Sequence, residues 1–410
     1  MKLRSFLFLA VAGFFCTAPL ASADLQCVVI PALSPYRHLP GEQDPDAEIR
    51  NDLTILMAQN ETGHAAFLLK PSADENDVMI IPSDLRSEKG GVIPASAMDL
   101  RIVKYWYQDG TAWSSYFADP TQQELVPELL LHDENLVKVD LKNRRNYLRV
   151  GDDYRWMNYP ETIKPGTFNY LTEPVADAPT LRPFTLSPAE KHKRFFLTLR
   201  ADVPADIYKG TLTVKTPQKT LTTLSLTVRV LPFRLPRPKT WYNRNKTFLS
   251  AMRIEGIRND YERLGRDLKK LEAWRLKMYR SMREHNIDYP LVSDPENYGR
   301  LTLEESLKLF RSDLTWMKQS GFPSDMMIGG VKGFSWNLLY QAPEKWPAGY
   351  EEKFYAAMDR DLKIIREIFG EQIIVYPEGW NEPGMKTLQK QRPTFRKIHE
   401  KGMRVQQTGN

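Results

Sequence analysis

Cysteine is nearly missing from this sequence: Cys16 and Cys27 are the only two in 410 residues. Cys16 falls in an N-terminal leader, so the chain left after its removal keeps Cys27 alone, which excludes an intrachain disulfide and leaves stability to packed cores. Long apolar runs are missing too. The longest, from Phe6 to Cys16, falls short of the roughly 20 residues that a membrane-spanning helix needs. It follows Lys2 and Arg4 and precedes Pro19 and Ala21-Ser22-Ala23, the small-residue pattern that a signal peptidase cuts. Residues 1–23 are therefore expected to be a signal peptide, the mature chain to begin at Asp24, and the protein to be secreted or periplasmic without a membrane span.

Concentrated charge is also lacking. The formal net charge is +6, and losing Lys2 and Arg4 with the leader lowers it to +4. The basic residues are scattered, which argues against nucleic acid as a partner. The six histidines form no His-Glu-x-x-His motif and no paired cysteines accompany them, so neither a dedicated metal site nor a cofactor is implied. Gly329, Gly330 and Gly333 lack the spacing of a phosphate loop and are read as a tight turn or a close backbone approach. His132-Asp133-Glu134 is read as a solvated loop.

What remains is a chain with 42% hydrophobic and 26% charged residues, long enough for two or three domains with cores of their own. From about Leu25 to Leu235, short alternating apolar runs are punctuated by Pro, Gly, Asn and Asp, the spacing of an antiparallel sandwich. Phe195–Leu199, Tyr208–Val214 and Leu224–Val230 are its clearest strands, rich in β-branched and aromatic residues. Three prolines between Pro232 and Pro238 then withdraw backbone donors and mark a domain boundary.

Beyond the boundary the period changes. Asp260–His285, Leu303–Gln319 and Tyr350–Phe369 carry apolar residues at helical spacing, and Thr394–Lys401 is read as a short fourth helix. Between them lie apolar runs at Thr247–Ser250, Ile287–Val292, Met326–Val331, Ile373–Tyr376 and Met403–Val405. Strands alternating with helices imply parallel βα units. The expected architecture is thus multidomain: an N-terminal antiparallel β-sandwich over 24–238 and a partial (β/α)8 TIM-type barrel over 239–410. The second segment has 172 residues. A full barrel takes about 250, so about five of eight strands are expected and the barrel is read as truncated.

The fourth expected strand runs into Tyr376-Pro377-Glu378-Gly379-Trp380-Asn381-Glu382-Pro383-Gly384, where a barrel of this type places its catalytic groups. Glycoside hydrolysis needs a general acid beside the leaving oxygen, and a carboxyl in a partly apolar pocket keeps a proton to give. Glu382 fits that acid/base role, and Asn381 is placed to hydrogen-bond a sugar hydroxyl or acetamido group. Asn-Glu-Pro is equally a sequence that opens helices, with Asn381 as cap and Glu382 facing the dipole. Trp380 and Trp336 are candidates for stacking on sugar rings, while Trp346, also in an expected loop, is read as packing. Glu378 and Asp294 are candidate substrate contacts, with Glu296 and Asn297 lining the same mouth.

Three further stretches carry a resemblance: Ala58-Gln59-Asn60-Glu61-Thr62, Val203-Pro204-Ala205-Asp206-Ile207-Tyr208-Lys209-Gly210, and Phe233-Arg234-Leu235-Pro236. In this order, ahead of an expected barrel, they make nearly the whole mature chain resemble glycoside hydrolase family 123. The resemblance implies a sandwich joined to a catalytic barrel, and cleavage of N-acetylgalactosaminides in which the substrate's own acetamido oxygen attacks the anomeric carbon. It also implies an Asp-Glu pair, where this chain has Asn381-Glu382. The Asn-Glu-Pro sequence also resembles clan A retaining glycosidases, whose Asn and acid/base Glu end strand four and whose nucleophilic Glu ends strand seven, a strand beyond the five expected here. The expected function is an exported glycoside hydrolase acting on an oligosaccharide or polysaccharide. The alternative is a non-catalytic carbohydrate-binding protein or an inactive truncated glycosidase.

Overall fold

A computed structural model describes residues 25–109, 123–156, 175–236, 239–240, 243–254, 256–297, 300–332, 345–379 and 384–406. They fall into two compact units, one ending at Pro236 and one following it.

In the first unit, alternation of buried and exposed side chains builds two sheets around one core. A six-stranded sheet runs in the order Glu48–Ile49, Leu25–Ile30, Thr62–Pro71, Lys193–Arg200, Met98–Asp109, Gln123–Leu131, with every pairing antiparallel. A seven-stranded sheet has Phe184–Leu186, Glu75–Pro82, Ile207–Lys215, Thr220–Arg234 and Asp52–Gln59 along its main path. Leu53, Ile55 and Met57 recur at every second position on one sheet, as do Phe195, Leu197 and Leu199 on the other, and all belong to the shared core. Phe67 and Phe195 stack there with centroids 5.2 Å apart.

The expectation of purely antiparallel pairing needs one correction. Thr220–Arg234 pairs in parallel with Asp52–Gln59, in register from Ser225 opposite Asp52. Apolar alternation reports which face is buried and carries no information on strand direction, so the sequence could not supply this. A second correction concerns His132-Asp133-Glu134, which is not a solvated loop. His132 is buried and its ring nitrogens contact Asp99 at 2.5 Å and the Ala178 carbonyl at 2.6 Å. Glu134 meanwhile accepts from the buried Lys193 ammonium. Polar residues that supply one another's hydrogen bonds can be buried together, and their partners are dozens of residues away in sequence.

The second unit holds a four-stranded parallel sheet in sequential order: Ala251–Arg253, Tyr289–Val292, Met326–Gly329, Ile374–Tyr376. The first strand is Ala251–Arg253 and not the expected Thr247–Ser250, where Thr247 forms an isolated antiparallel bridge to Lys239. The expected strand at Met403–Val405 is an incipient one. Arg404 N–H donates to the Val375 carbonyl, Gln406 N–H to that of Pro377, and Gly379 N–H to that of Gln406, leaving a single parallel bridge between Glu378 and Gln406.

Helices pack against this sheet through a core that includes Leu271, Phe310, Met358, Ile365 and Val375. Leu303–Gln319 and Tyr350–Phe369 have the bounds the periodicity predicts, the former opened by a capping box between Thr302 and Glu305. The expected Asp260–His285 helix is two, Ile257–Arg263 and Leu268–Glu284. Gly265 and Arg266 break it with φ of 68° and 60°, and Asp267 caps the second piece. The last helix is Met385–Glu400, twice the expected length, and it contains Pro393. Its buried face carries Gln391 and Thr394 beside Ile398, so its period is invisible to a hydrophobicity pattern. Among the described residues no helix is long and apolar enough to cross a membrane.

Candidate active site

The parallel strands all end on one side, at Arg253, Val292, Gly329 and Tyr376, and two clusters of charged side chains gather beyond those ends. In the first, the Arg253 guanidinium donates to Glu378 Oε1. Arg253 closes the first strand and Glu378 follows the fourth, with two strands between them. In a flat sheet that separation is three spacings, about 14 Å. Two long side chains reaching toward each other cross that span, so the pair ties the end of the first strand to the segment after the fourth. Backbone bonds from Gly379 and Gln406 fix the Glu378 segment from behind.

The second cluster joins the loops after the second and third strands to a helix. Asp294, buried, accepts from Glu296 N–H at 3.0 Å and so turns the chain just past Val292. Glu296 pairs with the Lys332 ammonium at 2.5 Å and with Arg360 at 3.4 Å. Asp361, fully buried on the Tyr350–Phe369 helix, accepts the Lys332 backbone N–H at 3.0 Å and the Arg360 guanidinium at 2.7 Å. Burial pushes the Asp361 carboxyl up to about 7 against the opposing pull of Arg360, and the nearby Asp294 charge adds to the rise.

The glycines between these loops have a steric cause. A Cβ on Gly329 would lie 2.1 Å from the Val292 carbonyl oxygen, and both Gly329 and Gly330 have φ near +78°. This close approach lets Gly330 N–H bond that same oxygen at 2.8 Å, so the loop after the third strand lies against the end of the second.

Of the residues singled out from the sequence, the structure thus places Glu378 in the first cluster and Asp294 in the second. Trp380, Asn381, Glu382 and Trp336 lie outside the described residues. The final helix begins at Met385 with Gly384 as its N-cap, so Asn381 is not its cap. Trp346 packs edge-to-face on Tyr350 at 6.1 Å and joins the helical core, as its packing reading requires. Sequence reasoning missed Arg253, Lys332, Arg360 and Asp361. For Asp361 a signal existed: it falls on the buried stripe Phe354, Met358, Asp361, Ile365 of an amphipathic helix, where a carboxylate is out of place. Among the described residues no group of three or more His, Cys, Asp or Glu side chains is placed to hold a metal ion.

Chemically, these strand ends offer carboxylates in two states. Glu378 is half-buried and ion-paired, an acceptor oriented at the sheet edge. Asp361 is a carboxyl poised to keep its proton near neutral pH, at a bracket holding two loops.

No protein-family model matches this chain, and no curated protein matches it. Among solved structures, it is similar to a family 123 glycoside hydrolase from Clostridium perfringens, with a TM-score of 0.53 at 11% sequence identity. That likeness covers 87% of this chain and 59% of the other, so the chain spans under two thirds of the length of the structure it matches. A family 2 glycosyl hydrolase from Bacteroides cellulosilyticus also aligns over 82% of the chain, at 8% identity, but with a TM-score of 0.18 the two folds do not superpose. The similarity to the family 123 structure is one of fold.

Proposed function

We propose that the chain is an exported glycoside hydrolase of retaining type, with Glu382 as general acid/base, Asn381 orienting the substrate, and Trp380, Trp336, Glu378 and Asp294 around the sugar. The observation that carries this reading is the family 123 likeness over 87% of the chain, taken with the position of Glu382 six residues past a parallel strand that ends at Tyr376. The sequential order of the parallel strands supports the TIM-type barrel in this proposal. A doubly wound sheet reverses its strand order at a switch point, whereas a barrel adds each strand beside the last.

In this reading the second unit supplies the chemistry: in the acetamido-assisted form, Glu382 protonates the leaving oxygen while the substrate's own acetamido oxygen closes on the anomeric carbon, then deprotonates the water that opens the resulting ring. The expected substrate is an oligosaccharide or polysaccharide met outside the cytoplasm. The test is turnover of a panel of aryl glycosides by the purified chain. Activity that falls at least about a hundredfold in Glu382→Gln supports the assignment, in line with the usual size of general acid/base catalysis. Sugar binding without turnover would replace it with a carbohydrate-binding protein, and turnover unchanged by the substitution would remove Glu382.

A further inference from the structure

The first unit contains a cavity of about 400 Å³ that the proposed hydrolysis does not use. Its size is within the range of small-molecule sites. It opens beside Lys104 and Tyr105 of the Met98–Asp109 strand and beside the start of the Lys193–Arg200 strand, while Ile102, Leu125, Val139 and Leu141 supply an apolar side. Leu141 is 65% exposed, so that side reaches the mouth.

The charges of the wall do not balance. Lys104, Lys191, Lys193 and Arg194 face only two carboxylates, Glu134 and Glu190. Both of those are engaged by one cation, since the Lys193 ammonium contacts Glu134 and lies 3.4 Å from Glu190. Lys104 donates to the backbone carbonyl of Glu134 at 3.2 Å. Arg194, 8% exposed, donates to the Arg37 carbonyl at 3.2 Å, and its Nε has no acceptor. Among the described residues neither Lys104 nor Arg194 has a carboxylate within ion-pairing distance. A guanidinium does not shed its proton, and the buried Arg194, served only by neutral oxygens, forgoes the ion pair that a carboxylate would return. Burial pulls the Lys104 ammonium below its ordinary range, helped by the Lys193 charge and opposed by the more distant charges of Glu134, Glu190 and Asp133.

Lys104 and Arg194 call for an acidic group. The engaged Glu134, Glu190 and Lys193 are acceptors and a donor suited to hydroxyls, and the apolar side suits the C–H face of a ring. We infer that this cavity binds a single acidic sugar unit, a pyranose bearing a carboxylate, with the carboxylate toward Lys104 and Arg194 and one ring face toward Ile102 and Val139. This site is independent of the proposed hydrolysis at the strand ends.

Calorimetric titration of the full chain with glucuronate tests it, against glucose, which has the ring without the charge, and acetate, which has the charge without the ring. Saturable binding of glucuronate, at least about tenfold tighter than either control, is expected from the loss of one charge-assisted hydrogen bond or of the ring contacts. Lys104→Met keeps the apolar stem and should weaken glucuronate about tenfold while leaving the unfolding midpoint unchanged or raised. Leu141→Trp, at an exposed position that tolerates substitution, should narrow the mouth and weaken binding likewise. Glu382→Gln should bind glucuronate as tightly as the unsubstituted chain. The inference is overturned by absent binding, by acetate or glucose binding equally well, by glucuronate affinity indifferent to both Lys104→Met and Leu141→Trp, or by affinity lost in Glu382→Gln.

Discussion

The Arg253 guanidinium reaches Glu378 across two intervening strands, joining the first parallel strand to the segment that follows the fourth. Both side chains are partly exposed, at 67% and 32%, so water screens the pair and its contribution to stability is small. The pair adds to the backbone bonds of Gly379 and Gln406 in setting where the Glu378 side chain lies. Under the proposed function, Arg253→Ala is expected to shift unfolding by less than about 1 kcal/mol, yet to lower kcat/KM on the best aryl glycoside by about tenfold or more, since groups displaced from a reactive geometry lose rate steeply. Thermal denaturation and steady-state kinetics on the same preparation check both halves. A large stability loss with unchanged kinetics would make the pair a structural one.

Asp361 gives the second unit a pH dependence of known sign. An unfolded aspartate ionises near 3.9, while burial holds the folded carboxyl up to about 7. Between those values the folded chain keeps a proton that the unfolded chain has lost, so the stabilisation is complete below about pH 4 and declines as pH rises through 7. The decline is on the order of a few kcal/mol, because one such shift of a unit is worth about 1.4 kcal/mol. Asp361→Asn retains an acceptor for the Lys332 N–H and cannot ionise. Urea denaturation at pH 5 and pH 8 should show the unsubstituted second unit losing stability and Asp361→Asn losing distinctly less. Parallel losses in the two proteins would show that Asp361 ionises normally.

Gly329 is sterically closed to any side chain, with the Val292 carbonyl oxygen 2.1 Å from where a Cβ would stand and φ at 77°. Gly329→Ala should cost at least about 1–3 kcal/mol from backbone strain alone, and it should separate the loops that carry Asp294 and Lys332. Gly321→Ala, at the same φ but with nothing within 4 Å of its Cβ, supplies the control for strain without the clash. A similar midpoint for both variants in thermal unfolding would remove the close approach as the cause.

Much of this architecture was legible because it depends on local periods. The Leu303–Gln319 and Tyr350–Phe369 helices were readable from apolar spacing, and the strands through Phe195, Leu212 and Leu226 from alternation. What escaped was set by partners distant in sequence. His132 is buried because Asp99 and Ala178 receive it, and the parallel pairing of Ser225 with Asp52 spans more than 170 residues. At the candidate site, the strand ends at Val292 and Tyr376 were readable, while the first strand ends at Arg253 and not Ser250 and the third at Gly329 and not Val331; Arg253 gave no sign that it would meet Glu378, because the two are 125 residues apart in sequence. The helix through Gln391 and Thr394 was underestimated because polar residues occupy its buried face.

Cys27 is buried in the shared core of the two sheets, where burial, assisted by the Asp52 charge, pushes its thiol up to about 12. Since the thiolate is the reactive form, a chain beginning at Asp24 should show almost no reaction with an aromatic disulfide reagent at pH 8 and one full equivalent in denaturant. The same assay along a denaturant series reports opening of the first unit separately from the second. Rapid labelling of the native chain would place Cys27 in a loosely packed region, contrary to its 2% exposure.

Asn381 offers a test between two mechanisms open to the proposed hydrolase. In acetamido-assisted cleavage the substrate's own oxygen closes on the anomeric carbon, and a positive charge develops on the resulting ring. A carboxylate beside the acid stabilises that charge better than an amide does. In the clan A arrangement an amide at the same place donates to a sugar hydroxyl, and a carboxylate there loses the donor and adds repulsion toward the electron-rich oxygens. If the proposed hydrolysis is acetamido-assisted, Asn381→Asp is expected to raise kcat/KM on aryl N-acetylgalactosaminides by about tenfold, the worth of roughly 1.4 kcal/mol of transition-state stabilisation; if it follows the clan A arrangement, the same change is expected to lower it. Aryl glycosides without the acetamido group should gain nothing. The decisive reading is the ratio between the two substrates, because a general change in folding or concentration moves both alike. A fall on every substrate would assign Asn381 to the clan A role, and an unchanged ratio with unchanged rates would remove it from both mechanisms.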